Sequence, residues 1–251
     1  MKILLTGYKG FIGSHMLTAL LAAGHIVKVY EWGDPLPNVE GLDWVVHIGA
    51  ISSTTERDVA KVMTQNYDFS VDLYEECRKH NVKFQFSSSA SVYGLNTEFT
   101  ETSPVDPRTP YAWSKYMFER YMENHPISVW QAFRYFNVYG PEGEEHKGDQ
   151  ASPHSKFKRQ AELADRIKVF ENSNKYLRDF VHVSDVVKIQ QKFLDKDASG
   201  IYNLGSGKAQ SFLDVAKMYS SKIIEVPMPE VLKLSYQEYT CADMSKTNQM
   251  L

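Results

Sequence analysis

Cysteine is nearly absent from this 251-residue chain: only Cys77 and Cys241 occur, far apart and outside any C-x-x-C spacing. That excludes a disulfide framework and a cysteine zinc site, and it fits a reducing compartment. Long apolar runs are missing too. No stretch approaches the roughly 18 consecutive apolar residues of a membrane helix, and the N-terminal run Ile3–Leu5 is too short for a signal peptide. An excess of one charge is also lacking. Lys and Arg number 28 against 31 Asp and Glu, a net charge of −3. Neither nucleic acid nor an anionic membrane finds an electrostatic footprint in such a chain. The histidines show no metal-ligand spacing, so no metal is expected. These absences point to a cytoplasmic protein with neither nucleic-acid nor membrane partners.

What is present is ordinary globular composition, 43% hydrophobic and 24% charged, enough to build a substantial core. "KILLTG" reads as a buried strand ending on a glycine turn, and "SHMLTALLAAGH" (14–25) as a helix with an apolar stripe. Further strands are expected at "IVKVYE", "WVVHIGA" (44–50), "KFQFSSSA" (83–90) and "SVWQAFRYFN" (128–137). Helices are expected at 62–80 and 109–124, the latter with Thr109 as N-cap and Pro110 in the first turn. Strands alternating with helices predict an α/β fold with a doubly wound parallel sheet. Only twelve residues separate Glu31 from Trp44, with two prolines and two glycines among them. A normal crossover helix does not fit there. After residue 140 the pattern loosens, which predicts a dinucleotide-binding domain over 1–140, with 178–200 packing back on it, and a smaller substrate-binding region over 141–251.

"TGYKGFIG" places Gly7, Gly10 and Gly13 between the first strand and the first helix. Glycines permit the tight turn and let a pyrophosphate approach the backbone at the helix N-terminus. Glu31 ends the next strand, where a carboxylate can accept hydrogen bonds from an adenosine ribose. No Lys or Arg occurs between Val29 and Glu56 to meet a 2′-phosphate, which favours NAD over NADP. Lys9 is the one nearby cation that could serve NADP.

"PYAWSK" puts Tyr111 and Lys115 four residues apart, on one helix face. The lysine charge should favour the phenolate and lower the tyrosine pKa. "FSSSASVYG" places Ser89 at a strand end, where its hydroxyl can bridge the phenol and a substrate hydroxyl. Tyr and Lys at this spacing are common on helices; the preceding serine-rich strand and the glycine fingerprint give the pair its meaning.

The stretches "TGYKGFIG", "SSSASVYG", "YAWSK", "RYFNVYGP", "RDFVHVSDVV" and "YNLGSG" run from residue 6 to residue 207. With them the chain resembles the extended short-chain dehydrogenase/reductase family, the NAD-dependent epimerases and dehydratases of nucleotide sugars. The resemblance implies a Rossmann-type fold, one tightly bound NAD or NADP per subunit, and Ser89, Tyr111 and Lys115 as the catalytic set. It also implies cofactor contacts from Gly7, Gly10, Phe11, Ile12, Gly13, Glu31, Ile48, Gly49, Ala50, Ile51, Ser52, Asn66, Tyr111, Lys115 and Val138. Its long helices at 62–80 and 109–124 imply a homo-oligomer contact.

"GAISSTTERD", "HKGDQAS", "FENSNKYLRDFVHV" and "LSYQEYTCAD" look most like the ADP-glycero-manno-heptose 6-epimerases within that family. That resemblance implies a second acid/base lysine at Lys147 and a nucleotide-diphosphate sugar as substrate. Its substrate contacts carry over to Ser89, Asn137, Asp149, Phe170, Glu171, Asn172, Ser173, Arg178 and Tyr236. An arginine also matches a diphosphate bidentately on chemical grounds. The alternatives are a UDP-sugar 4-epimerase, which leaves Lys147 without a task, a nucleotide-sugar reductase or dehydratase, and a non-catalytic dinucleotide-binding homologue.

Overall fold

Strand Lys2–Thr6 (β1) is buried from its second residue onward and lies inside a six-stranded sheet. The structure, a computed structural model, describes residues 1–141, 143–230 and 236–251, without the side chains of Glu145, His146 and Asp149. The sheet also holds Ile26–Tyr30 (β2), Trp44–His47 (β3), Lys83–Ser89 (β4), Trp130–Tyr135 (β5) and Gly200–Leu204 (β9). Its order is β2-β1-β3-β4-β5-β9 and every pairing is parallel. The chain passes to one side of β1 for β2 and to the other for β3. Their C-terminal ends therefore diverge and open a crevice, the place where such sheets bind ligands.

Both sheet faces are covered, which is why the inner strands read as continuous apolar runs. Successive side chains alternate between the faces. Leu4, Val45, Phe84 and Phe86 pack on one side with Tyr74 of helix Phe69–His80 (α3) and Phe118 of helix Pro110–Asn124 (α4). Ile3, Leu5, Trp44 and Val46 pack on the other with Met16 and Leu20 of helix Phe11–Ala22 (α1) and Val183 and Val187 of helix Val183–Phe193 (α6). Each fully buried side chain of this size contributes about 1.5–3 kcal/mol. The first helix starts at Phe11, three residues before the apolar stripe suggests, because the glycine loop itself turns into the helix.

The helix expected over 62–80 is longer and is not uniform. Val59–Met63 (α2) passes through a π-helical turn, Thr64–Asp68, directly into α3. Past β5, strands Asn137–Tyr139 (β6), Leu177–His182 (β8) and Ala209–Ser211 (β10) form a three-stranded sheet, and Ile167–Phe170 (β7) pairs with Ile223–Val226 (β11). Helices Pro153–Ala164 (α5) and Phe212–Lys217 (α7) close a separate small core on Phe157, Ile167, Val169, Phe180 and Val215. Asp179, fully buried in β8, accepts hydrogen bonds from the backbone N–H groups of Ser206 (2.7 Å), Gly207 (2.9 Å) and Ala242 (3.0 Å). One carboxylate thereby ties two distant loops to this smaller core. No described helix is long and apolar enough to cross a membrane, and the described residues hold no cluster of metal-ligating side chains.

Candidate active site

The crevice at the end of β1 is a cleft of about 450 Å³. Gly7 has φ +71°, and a Cβ there would lie 2.4 Å from the Gly49 Cα. A Cβ on Gly13 would lie 1.9 Å from the Gly7 carbonyl oxygen. Only glycine lets the three backbones meet so closely. Gly10 caps α1 without any side-chain hydrogen bond, so the first-turn N–H groups face the cleft as an anion site. Glu31 stands across the loop and its carboxylate accepts the Lys9 backbone N–H at 2.8 Å. The cradle that a Cβ would fill, the uncapped helix start and the carboxylate beside them fit a dinucleotide.

The far side of this cleft is the segment 48–52, and polar side chains behind it hold it in place. Thr6 Oγ1 accepts the Gly49 N–H at 3.0 Å and pairs with His47 Nδ1 at 2.7 Å. His47 Nε2 meets Ser70 Oγ at 2.8 Å. Burial, with the Lys115 charge nearby, lowers the His47 pKa to about 3, so the ring is neutral. Asn66, in the π-helical turn, accepts the Ile51 N–H at 2.8 Å and donates to the Ile51 carbonyl at 3.0 Å and to Ser114 Oγ at 3.2 Å. Among the described residues, Gly7, Gly10, Phe11, Ile12, Gly13, Glu31 and the run Ile48–Ser52 line the cleft. Asn66, Tyr111, Lys115 and Val138 are not in its wall; Asn66 acts on it through Ile51.

Thr109 caps α4 by accepting the Ala112 N–H at 3.1 Å. Tyr111 and Lys115 then share one face, with Lys115 Nζ 5.8 Å from the Tyr111 ring centroid. Nζ donates to the Ser87 carbonyl at 2.7 Å and sits 4.6 Å from the Phe86 ring. Burial lowers the Lys115 pKa to about 7, against the opposing pull of Glu119. The Tyr111 phenol moves the other way from the sequence-based expectation. Burial raises its pKa, and the hydrogen bond from Ser89 only partly offsets this. Loss of hydration outweighs a lysine that is itself close to neutral.

Lys147 lies in a short 3₁₀ segment, Glu145–Gln150. Its ammonium rests 4.5 Å from the Phe11 ring centroid and 4.0 Å from Glu144 Oε2, and it belongs to the wall of the dinucleotide cleft. Burial lowers its pKa, opposed by Glu144. Glu144 is itself committed: it is 2% exposed and accepts the Ser152 N–H and hydroxyl, both at 2.7 Å. Gln150 in the same segment donates to Thr55 Oγ1 at 3.1 Å, across the cleft mouth. Tyr30, Trp32, Gln65, Phe69 and Gln150 also line the cleft, and sequence reasoning passed over them. Of these, Tyr30 and Trp32 carried a signal, as the two neighbours of Glu31.

A second cavity of about 420 Å³ lies in the smaller region, lined by Phe170, Ser173 and Tyr236 together with Lys156 and Phe212. Arg178 is 9% exposed and its guanidinium lies beside two neighbouring rings, Phe212 (5.4 Å) and Tyr236 (5.3 Å). Burial lowers its pKa. The Ser173 hydroxyl is buried at the cavity wall and has no hydrogen-bond partner among the described residues. Glu171 and Asn172 form an exposed turn, closed by the Ser173 N–H on the Phe170 carbonyl at 3.0 Å. Asn137 opens β6 and pairs in register with Phe180. The Asp149 side chain lies outside the described residues.

The sequence pattern of the NAD dependent epimerase/dehydratase family matches residues 34–205. A curated relative, the ADP-L-glycero-D-manno-heptose-6-epimerase of Brachyspira hyodysenteriae, is 34% identical over 286 residues, 97% of this chain and 90% of that protein. The solved ADP-L-glycero-D-manno-heptose-6-epimerase of Helicobacter pylori superposes with a TM-score of 0.87 at 26% identity, over 99% of this chain and 89% of its own. The UDP-glucose 4-epimerase of Thermus thermophilus, solved as a complex with NAD, gives a TM-score of 0.80 at 26% identity, over 99% of this chain and 92% of its own. Family pattern, whole-length relative and superposed sheet agree, and the chain belongs to the NAD dependent epimerase/dehydratase family.

Proposed function

We propose that the protein is an NAD-using nucleotide-sugar epimerase acting on ADP-glycero-manno-heptose at C6. The observation that carries this reading is Lys147, a largely buried lysine with a lowered pKa on a loop separate from the Ser89–Tyr111–Lys115 group. Inverting a hydroxyl-bearing carbon through a ketone puts its oxygen in two positions, and two independent bases can serve one position each. A bound NAD would supply the hydride acceptor and donor for that carbon. Tyr111 takes the hydroxyl proton through Ser89 as the ketone forms, and Lys147 delivers a proton when the ketone is reduced on its opposite face. The roles of the two groups interchange for the reverse direction.

Arg178 and the cavity at Phe170, Ser173 and Tyr236 would receive the diphosphate and its nucleotide, with Asn137, Glu171, Asn172 and Asp149 as further substrate contacts. We read residues 1–140 as the dinucleotide-binding domain, with 178–200 packed back on it, and 141–251 as the substrate region. Val59, Trp113 and Met117 are exposed apolar residues on the helices that would form a homo-oligomer contact. A reducing cytoplasm suits two unpaired cysteines.

The test is to incubate the protein with ADP-D-glycero-D-manno-heptose and follow the C6 epimer by NMR. Conversion supports the reading. Turnover of UDP-glucose with no change in the heptose substrate would replace it with a 4-epimerase.

A further inference from the structure

On the β2 side of the dinucleotide cleft the sheet ends. Residues 31–43 form no helix and no strand beyond β2, only an isolated bridge between Trp32 and Asp34. What covers the space past Glu31 is aromatic. Tyr30 stacks on Phe69, 5.1 Å between centroids and 9° between planes, and Trp32 meets the same Phe69 ring edge-on at 5.5 Å and 87°. The Tyr30 hydroxyl donates to the Asp34 carbonyl at 2.9 Å, and Gly33 adopts φ +103°, so the turn that carries Trp32 is braced at both ends. Gln65 joins these rings on the cleft wall, four residues before Phe69. Trp32 is 49% exposed, whereas Trp44 and Trp130 are 1% and 7% exposed in the core.

The order of groups along the cleft fixes what reaches this wall. The glycine loop and the start of α1 suit the pyrophosphate, and Glu31 suits the adenosine ribose. The base attached to that ribose is directed one position further, onto the residue after Glu31. We infer that the Trp32 indole is the stacking platform for the adenine of the dinucleotide, with the Gln65 carboxamide matching the donor–acceptor edge of the base. This assignment rests on the reading that the cleft holds NAD. A half-exposed indole offers a flat π-face to a purine at small conformational cost, and a carboxamide pairs with adenine through one donor and one acceptor. The abbreviated 31–43 segment thereby removes a crossover and puts one aromatic side chain in its place.

The experiment uses the full chain freed of bound dinucleotide on charcoal, titrated with AMP, ADP-ribose and nicotinamide mononucleotide by calorimetry and tryptophan emission. AMP should quench the emission of the native protein and of Trp113→Phe. Trp32→Ala should lose that quenching and bind AMP and ADP-ribose about tenfold or more weakly, with nicotinamide mononucleotide unchanged. Trp32→Phe should recover most of the affinity. AMP affinity within twofold of native in Trp32→Ala overturns the assignment while leaving the NAD reading intact. A native protein that binds neither ADP-ribose nor NAD overturns both.

Discussion

The Lys147 ammonium rests 4.5 Å from the centre of the Phe11 ring, on the first turn of the helix that begins at the glycine loop. A lysine in a loop rich in glycine and acid has been drawn out of solvent and onto the cleft wall. Its own acidic neighbour does not hold it there as a close ion pair, since Glu144 is occupied by Ser152.

Replacing this lysine separates chemistry from binding. Lys147→Ala should lower kcat for epimerisation by about 10²-fold or more, the usual scale for a proton-transfer group. Copurified dinucleotide, measured after acid release, should remain. Turnover within a few-fold of native would return Lys147 to a surface role.

Tyr111 and Ser89 act as one unit, because the serine hydroxyl supports the phenolate that burial disfavours. Tyr111→Phe should cost about 10²–10⁴-fold in kcat. Ser89→Ala should move the alkaline-rising limb of the kcat profile to higher pH, as the phenol loses its partner. A profile unchanged in Ser89→Ala would show that the two do not cooperate.

Arg178 has its charge buried beside two aromatic rings. Arg178→Gln should raise KM for the nucleotide sugar about tenfold or more, since charge-assisted hydrogen bonds are worth about 1.5–3 kcal/mol. Dinucleotide content should not change. A loss confined to kcat with KM unaltered would move the diphosphate elsewhere.

His47 sets a pH dependence of stability. Its folded pKa is lowered by burial to about 3 from 6.5. Above pH about 6.5 the ring is neutral in both states and the shift has no effect. As pH falls toward 3, the unfolded chain takes a proton that the folded chain refuses. Stability should therefore drop by up to about 1.4 kcal/mol per pH unit from this residue alone. His47→Asn should be less stable than native at pH 7, with the difference shrinking by pH 5 in urea unfolding. A difference that stays constant would mean that His47 titrates freely in the fold.

Much of the site is readable along the chain because it is local. Gly7, Gly10 and Gly13 lie in one turn between a strand and a helix, and Tyr111 and Lys115 are neighbours by helical spacing. The missing crossover between Glu31 and Trp44 also shows as length alone. The π-helical turn around Asn66 does not, since its hydrogen bonds to Ile51 and Ser114 join residues 15 and 48 positions away. The direction of the Tyr111 shift is equally hidden: spacing brings Lys115 near, but only burial shows that desolvation exceeds the charge effect.

The sequence by itself therefore determined the α/β class, the glycine loop and the Tyr111–Lys115 pair, all set by short-range geometry. The tertiary structure decided that Lys147 faces the cleft rather than water, that Arg178 is buried beside Phe212 and Tyr236, and that Trp32 takes the wall left by the absent crossover. Each of these depends on which distant surfaces meet, and side chains far apart in the chain are desolvated together only when the sheet and its two covering layers have closed.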